Sequence, residues 1–162
     1  MTNSTLTSWS TEEWPEYQPD LIVPRLYQGG TEDHHVIGMT TPSNHYSNAN
    51  QQFDLVVTLY ADAQPAPWGV QEMRYGFPDG PLGERDAQRI IQIARDAYRH
   101  WQNGDCVLVR CQAGVNRSGL VTALILMTSG LSAVDAIALI RRQRSPFVLS
   151  NSHFENWLLA QD

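Results

Sequence analysis

Val107-Leu108-Val109-Arg110-Cys111-Gln112-Ala113-Gly114-Val115-Asn116-Arg117-Ser118-Gly119, running on into Leu120-Val121-Thr122-Ala123-Leu124-Ile125-Leu126-Met127, decides the fold. Val107 to Val109 is short, apolar and β-branched, the pattern of a buried strand. Leu120 to Met127 is apolar enough for a buried helix, and the residues between are mostly small. A strand that turns through such a loop into a helix builds an anion site. Its amides point inward as a nest, and the helix N-terminus adds partial positive charge. One end of this loop carries a thiol and the other a guanidinium. That pairing points to phosphate chemistry.

A phosphate monoester dianion repels nucleophiles, so a catalyst needs a soft anion already formed, matched positive dipoles and an acid for the leaving oxygen. Cys111 can supply the first, because thiolates are favoured at helix N-termini and beside cations. The amides of Gln112, Ala113, Gly114, Val115, Asn116 and Arg117 can each face an equatorial oxygen. Gly114 lets the backbone curl closely around the ion. Arg117 can return across the mouth and grip two oxygens at once, which a lysine does not match. Ser118 can donate its hydroxyl to the thiolate as it departs. Cys, Gly and Arg-Ser at these spacings arise by chance roughly once in a thousand at average composition.

Working outward, Phe53-Asp54-Leu55-Val56-Val57-Thr58-Leu59 is the strongest strand, apolar enough to be buried on both faces. Leu21-Ile22-Val23 and Leu26-Tyr27 flank Pro24 and lead to Gly29-Gly30. Glu72 to Phe77 reads as a strand ending in Pro78-Asp79-Gly80-Pro81, a turn that displays its carboxylate. A helix is predicted from about Glu84 to Gln102, with Ile90, Ala94 and Ala97 on its apolar face. Beyond the opening loop, Gly130 ends one helix and Ser132-x-x-Asp135 caps the next, which finishes on Arg141, Arg142 and Arg144. Ser145-Pro146 breaks it, and Ser152-x-x-Glu155 caps a last short helix. The expected class is α/β, a mostly parallel central sheet flanked by helices. Residues 1–20 form an N-terminal arm with Trp9, Trp14 and Tyr17, and residues 21–162 form a single domain. The polar 31–52 segment holds His34, His35 and His45 without any metal-ligand spacing, so they read as solvated loop histidines and no metal or cofactor is expected.

The chain has 162 residues, 42% hydrophobic and 17% charged, with net charge −6. That length suits one domain burying about 70% of its unfolded surface. The acidic balance argues against nucleic acid or an anionic membrane as partner. Met1-Thr2-Asn3-Ser4 has neither the basic nor the apolar region of a signal peptide. The longest apolar run is far short of the roughly 18 residues a membrane span needs. Cys106 and Cys111 bracket one strand, about 16 Å apart at roughly 3.3 Å per residue, whereas a disulfide needs less than about 7 Å. Two free thiols imply a reducing compartment, and the cytoplasm is the expected location.

The loop resembles the signature of cysteine-dependent protein phosphatases, specifically the small dual-specificity type. Ile22-x-x-x-Leu26-Tyr27-x-Gly29, the Phe53 to Leu59 strand, and Arg141-x-x-Arg144 with Asn151-x-x-Phe154 are similar to that family's framework. The resemblance implies a dual-specificity phosphatase-like fold and a phosphorylated protein or peptide as substrate; a monomer is expected, though the sequence leaves the oligomeric state open. It also implies an aspartate, about thirty residues before the nucleophile, that protonates the leaving group. Asp79 fits, with Asp62 and Asp86 as alternatives, and Asn151 would brace the loop. Two departures stand out. Arg110 occupies the place of the family's usual histidine and is expected to support the loop, facing away from Cys111. The 31–52 segment replaces a compact helix.

The expected chemistry is in-line attack by Cys111, oxyanion binding by Arg117 and the amides, and proton transfer by Asp79. A phosphoprotein-binding pseudophosphatase and a phosphatase for an inositol phosphate or RNA 5′-phosphate are the alternatives. The neutral Gln112, Val115 and Asn116 speak against the polyphosphate substrates.

Overall fold

The structure is a computed structural model, and it describes residues 15–31 and 53–162. Trp9, Trp14, His34, His35 and His45 lie outside the described residues. Five strands form one sheet in the order β1-β2-β5-β3-β4: β1 (Asp20–Val23), β2 (Leu26–Gly29), β3 (Leu55–Thr58), β4 (Gln71–Arg74) and β5 (Val107–Arg110). The β1–β2 hairpin is antiparallel and every other pairing is parallel. β3 and β5, at the centre, are buried at all four positions. Their near-unbroken apolar sequence has that cause, since no face meets water.

Among the described residues four helices accompany the sheet, the first before β5 and three after it: α1 (Glu84–Gln102), α2 (Arg117–Thr128), α3 (Ala133–Gln143) and α4 (Ser152–Leu159). Leu55, Val57, Val107 and Val109 turn one face of the sheet toward the helical core. Val56, Leu108 and Phe53 form a small cluster on the other face, where Tyr27 meets Phe53 edge-on at 5.3 Å. α2 is buried from Ser118 through Leu126, because α1, α3, α4 and the sheet surround it. A helix with no polar face belongs at the centre of the molecule. Its N-terminus therefore emerges from the core at a fixed place, above the C-terminal end of β5. Among the described residues no helix is long and apolar enough to cross a membrane.

The predicted elements are present with altered ends. β4 stops at Arg74 instead of Phe77. The chain then passes so close to the neighbouring loop that a Cβ on Gly76 would lie 2.8 Å from the Cβ of Ala61. Ser132 does cap α3, accepting from the Asp135 amide at 3.1 Å. For α4 the cap is Asn151, not Ser152: its side-chain oxygen accepts from the His153 amide at 3.0 Å. Asparagine accepts the N-cap role as readily as serine. Both cysteines are free.

Candidate active site

The loop from Cys111 to Arg117 sits where parallel strands end and a helix begins, the usual place for ligands in α/β sheets. Its main chain is held from outside. The Gln112 carbonyl accepts from the Thr31 amide at 2.8 Å. The Ala113 and Gly114 carbonyls accept from Arg144 at 3.4 and 2.6 Å, and Gly114 accepts also from Gln28 Nε2 at 3.1 Å. The Val115 carbonyl accepts from the Leu149 amide at 3.3 Å. Four consecutive carbonyls thus point outward. Their peptide amides face the other way, into the hollow of the loop. Gly114 makes the curl possible with φ +71°, and a Cβ there would lie 2.5 Å from the Gly29 carbonyl carbon.

Cys111 is buried, with its Sγ 3.3 Å from Ser118 Oγ. When the sulfur is a thiolate the hydroxyl is the donor in that pair. Ser118 itself receives a hydrogen bond from Gln28 Nε2 at 3.2 Å, so its orientation is set from β2. Asn116 is the N-cap of α2 yet makes no side-chain cap. Its Nδ2 instead donates to Asp79 Oδ2 at 3.1 Å, and its Oδ1 accepts from the Asn151 amide at 2.9 Å. An uncapped helix start leaves amide donors directed at whatever occupies the loop.

Arg117 opens α2. A cation there opposes the helix dipole, so its position is not explained by helix stability. Its Nη1 donates to the Phe77 carbonyl at 3.2 Å, and the guanidinium lies over the Tyr60 ring at 5.4 Å. Its Nε is buried without a hydrogen-bond partner. A buried unpaired donor costs about 1–3 kcal/mol, and an oxyanion in the loop would satisfy it.

Asp79 stands opposite, held at both oxygens: Asn116 on Oδ2, and Asn151 Nδ2 on Oδ1 at 2.8 Å. Asn151 also donates to the Gly80 carbonyl at 3.1 Å. The structure therefore brings Cys111, Arg117, Ser118, Asp79 and Asn151 to one place. Asp86 is elsewhere, accepting from the Tyr75 hydroxyl at 2.5 Å, and that bond pushes the tyrosine above its ordinary range. Asp62 is exposed on the loop after β3.

Arg110 faces away from Cys111. It is 1% exposed, and its Nε donates to Thr58 Oγ1 at 2.9 Å. Its Nη2 meets Glu72 Oε2 at 3.1 Å and the Gln64 carbonyl. Burial pushes the Glu72 carboxyl up. The Thr58 hydroxyl and the Arg110 and Arg74 guanidiniums outweigh burial, so it sits below its ordinary 4.5. A depressed carboxyl contributes stability above its unfolded value that is lost as pH falls through the folded one. Glu72→Gln is expected to cost about 1–3 kcal/mol at neutral pH. That difference should begin to shrink as pH falls below the ordinary 4.5 and go on shrinking through the lower folded value, as Glu72 in the parent also protonates. Urea melts of both proteins at pH 7 and pH 3.5 measure it, and a pH-independent difference would contradict the assignment.

Sequence reasoning missed the braces. Arg144, quoted for the framework but given no role, has a fully buried side chain. Besides the loop carbonyls it binds Asp20 Oδ2 at 2.9 Å and the carbonyls of Glu16 and Gln18 at 2.7 and 2.9 Å. Burial lowers the Arg144 guanidinium and raises the Asp20 carboxyl, in each case outweighing their mutual attraction. After Asp20, Cys111 is the charge that most favours the Arg144 cation. Arg144 is thus a buried guanidinium close enough to Cys111 for a charge on the sulfur to favour its cation. Gln28 is the second missed brace, and a polar residue inside an apolar strand next to Gly29-Gly30 was its one signal.

The family model for the dual specificity phosphatase catalytic domain matches residues 84–162. A sequence named as tyrosine phosphatase 123R, from Invertebrate iridescent virus 6, is 27% identical over 150 residues, covering 87% of this chain and 94% of the relative. The dual specificity protein phosphatase Mpk3 of Drosophila melanogaster is 42% identical over 91 residues, which are 56% of this chain but only 19% of that protein. The crystal structure of human DUSP28 superposes with TM-score 0.71 at 23% identity, covering 88% of this chain and 91% of that one; at that identity the likeness speaks for the fold. Taken with the thiol–arginine loop and its framework, these matches make the chain similar to the dual-specificity and tyrosine phosphatases, in sequence over its second half and in fold over most of its length.

Proposed function

We propose that residues 21–162 hydrolyse phosphomonoesters on a protein or peptide through a phosphocysteine, without a metal. The observation that carries this reading is the row of four outward carbonyls, which turns a short loop into an inward-facing set of amide donors. The Cys111 thiolate attacks phosphorus in line. As the ester P–O bond breaks, the Asp79 carboxylic acid gives its proton to the departing oxygen. Charge on the equatorial oxygens meets the loop amides and Arg117, whose free Nε supports a two-point grip. Water then attacks the phosphocysteine and gives its proton to the Asp79 carboxylate. Phosphate leaves, and the Ser118 hydroxyl stabilises the restored thiolate.

The test is a rapid-quench burst with an aryl phosphate in the presence of chelator. One equivalent of phenol per Cys111, with acid-trapped phosphocysteine, is the expected result. Binding of phosphopeptide with neither burst nor turnover would overturn it in favour of a binding module. The two free thiols support a cytoplasmic setting, and the net charge of −6 speaks against nucleic acid or an anionic membrane as partner.

Asp79 is placed through Asn116, which is the basis of a further expectation. Asn116→Ala keeps the loop amide but removes one of the two donors to Asp79. The expected result is a kcat lower by roughly 10- to 100-fold, with KM little changed because the phosphate contacts are main-chain. Steady-state kinetics on an aryl phosphate with a poor leaving group measures it; an equal loss in KM would place Asn116 in binding instead.

A further inference from the structure

An open groove of about 410 Å³ is lined by Tyr75, Arg85, Gln88, Arg89 and Gln92, and Tyr75 lies on the same stretch of chain that leads to Asp79. Its floor is the Tyr75 ring, stacked 6.0 Å from Phe77, whose carbonyl receives Arg117. The groove is thus one ring contact from the phosphate-binding arginine. Arg89 lies 5.9 Å over the Tyr75 ring, and Arg85 is close enough to act on the charge of the same hydroxyl.

The two arginines are poorly placed for the helix that carries them. Arg85 is in the first turn of α1, where a cation opposes the dipole. Arg89 is four residues on, the spacing at which like charges repel by a few tenths of a kcal/mol. Neither has an ion-pair partner among the described residues, and both are exposed. Asp86, the carboxylate nearest the groove floor, is engaged by the Tyr75 hydroxyl. Arg117 shows the same pattern on α2: a cation at a helix start, costly to the helix and directed at an anion. Within the loop the side chains of Gln112, Val115 and Asn116 are neutral, so recognition of any second negative charge must come from beyond it.

Resting on the phosphoprotein reading above, we propose that the Arg85–Arg89 groove receives an acidic side chain that flanks the phosphorylated residue of the substrate. The two guanidiniums bind the carboxylate, the Gln88 and Gln92 amides supply donors at its rim, and Tyr75 packs against its methylenes. The groove selects substrates and plays no part in the bond-breaking steps.

The test compares phosphotyrosyl peptides with acidic, neutral and lysine flanks, using an aryl phosphate as the flankless control. For the parent, kcat/KM is expected to rank acidic above neutral above lysine. In Arg85→Glu/Arg89→Glu that order should collapse or invert through a KM rise of roughly 3- to 20-fold on the acidic peptide, while the aryl phosphate is turned over as in the parent. Arg85→Gln/Arg89→Gln, which carries no reversed charge, should give an intermediate result. Anisotropy titrations of the same peptides on a Cys111→Ser background read the groove without turnover, and the double charge reversal should weaken the acidic peptide alone. A parent indifferent to flank charge, or a preference that survives both double variants, overturns the groove and leaves the phosphatase reading standing. Loss of Cys111-dependent aryl phosphate hydrolysis in the parent overturns the phosphatase reading; the titrations still decide the groove.

Discussion

Cys111→Ser is expected to lower hydrolysis of an aryl phosphate by at least about a thousandfold while phosphopeptide binding persists. The exchange is nearly isosteric, so the loop keeps its outward carbonyls, Arg117 keeps its place, and the anion still finds its donors. What disappears is the nucleophile. A serine hydroxyl stays protonated at neutral pH, and its hydrogen-bond partner among the described residues, Ser118 at 3.3 Å from Sγ in the parent, is no general base, while Asp79 serves the departing oxygen and not the nucleophile. Single-turnover kinetics in chelator, with an anisotropy titration of a labelled phosphopeptide, measures both halves. Activity that survives in the serine protein would sink the phosphocysteine mechanism.

Asp79→Asn is expected to depend on the leaving group. Where the departing oxygen is a poor leaving group, as in an alkyl ester, proton donation is most needed and the loss should reach about 10²- to 10⁴-fold in kcat. Where the departing phenol is strongly acidic the loss should be small, because it leaves without a proton. A plot of log kcat against leaving-group pKa should therefore be flat for the parent and steep for the variant. The substitution disturbs the site in one further way. Asn116 and Asn151 present amide donors to different oxygens of Asp79, and an asparagine at 79 keeps an oxygen at only one of those places, turning its own NH2 toward the other donor. Asp79→Ala separates the two effects: it removes the donor conflict along with the acid. Equal leaving-group slopes in parent and variant would remove Asp79 from the acid role and return Asp62 to consideration.

The parts of this site that were legible in the sequence are those in which chemistry and fold coincide within a few residues. Cys111, Gly114 and Arg117 share one loop whose flanks are plainly a strand and a helix, and Asp79 sits in a turn that displays it. The asparagine cap of α4 was misplaced by one residue because Ser152 and Asn151 are both good caps, and spacing to Glu155 favoured the serine. What was not legible depends on partners distant along the chain. Gln28 reaches Ser118 across two adjacent parallel strands. Arg144 gathers Glu16, Gln18 and Asp20 with Gly114. Asn116 was read for its backbone amide, yet its side chain carries the link to Asp79. The substitution of arginine at 110 could be seen, but not that Thr58 and Glu72 would receive it on the far side of the strand.

The framework grips the loop by its carbonyl oxygens, which every amino acid has. At Ala113, whose side chain is half-exposed, residue identity is therefore uncoupled from loop shape. Gly114 is fixed by its φ, Val115 by burial, and Asn116 by Asp79, but Ala113 can change without unseating the amides. Selection can redraw that part of the rim while leaving the anion hollow intact. That separability is how one scaffold can come to serve many phosphoesters: a tolerant position lies among exacting ones within a single loop.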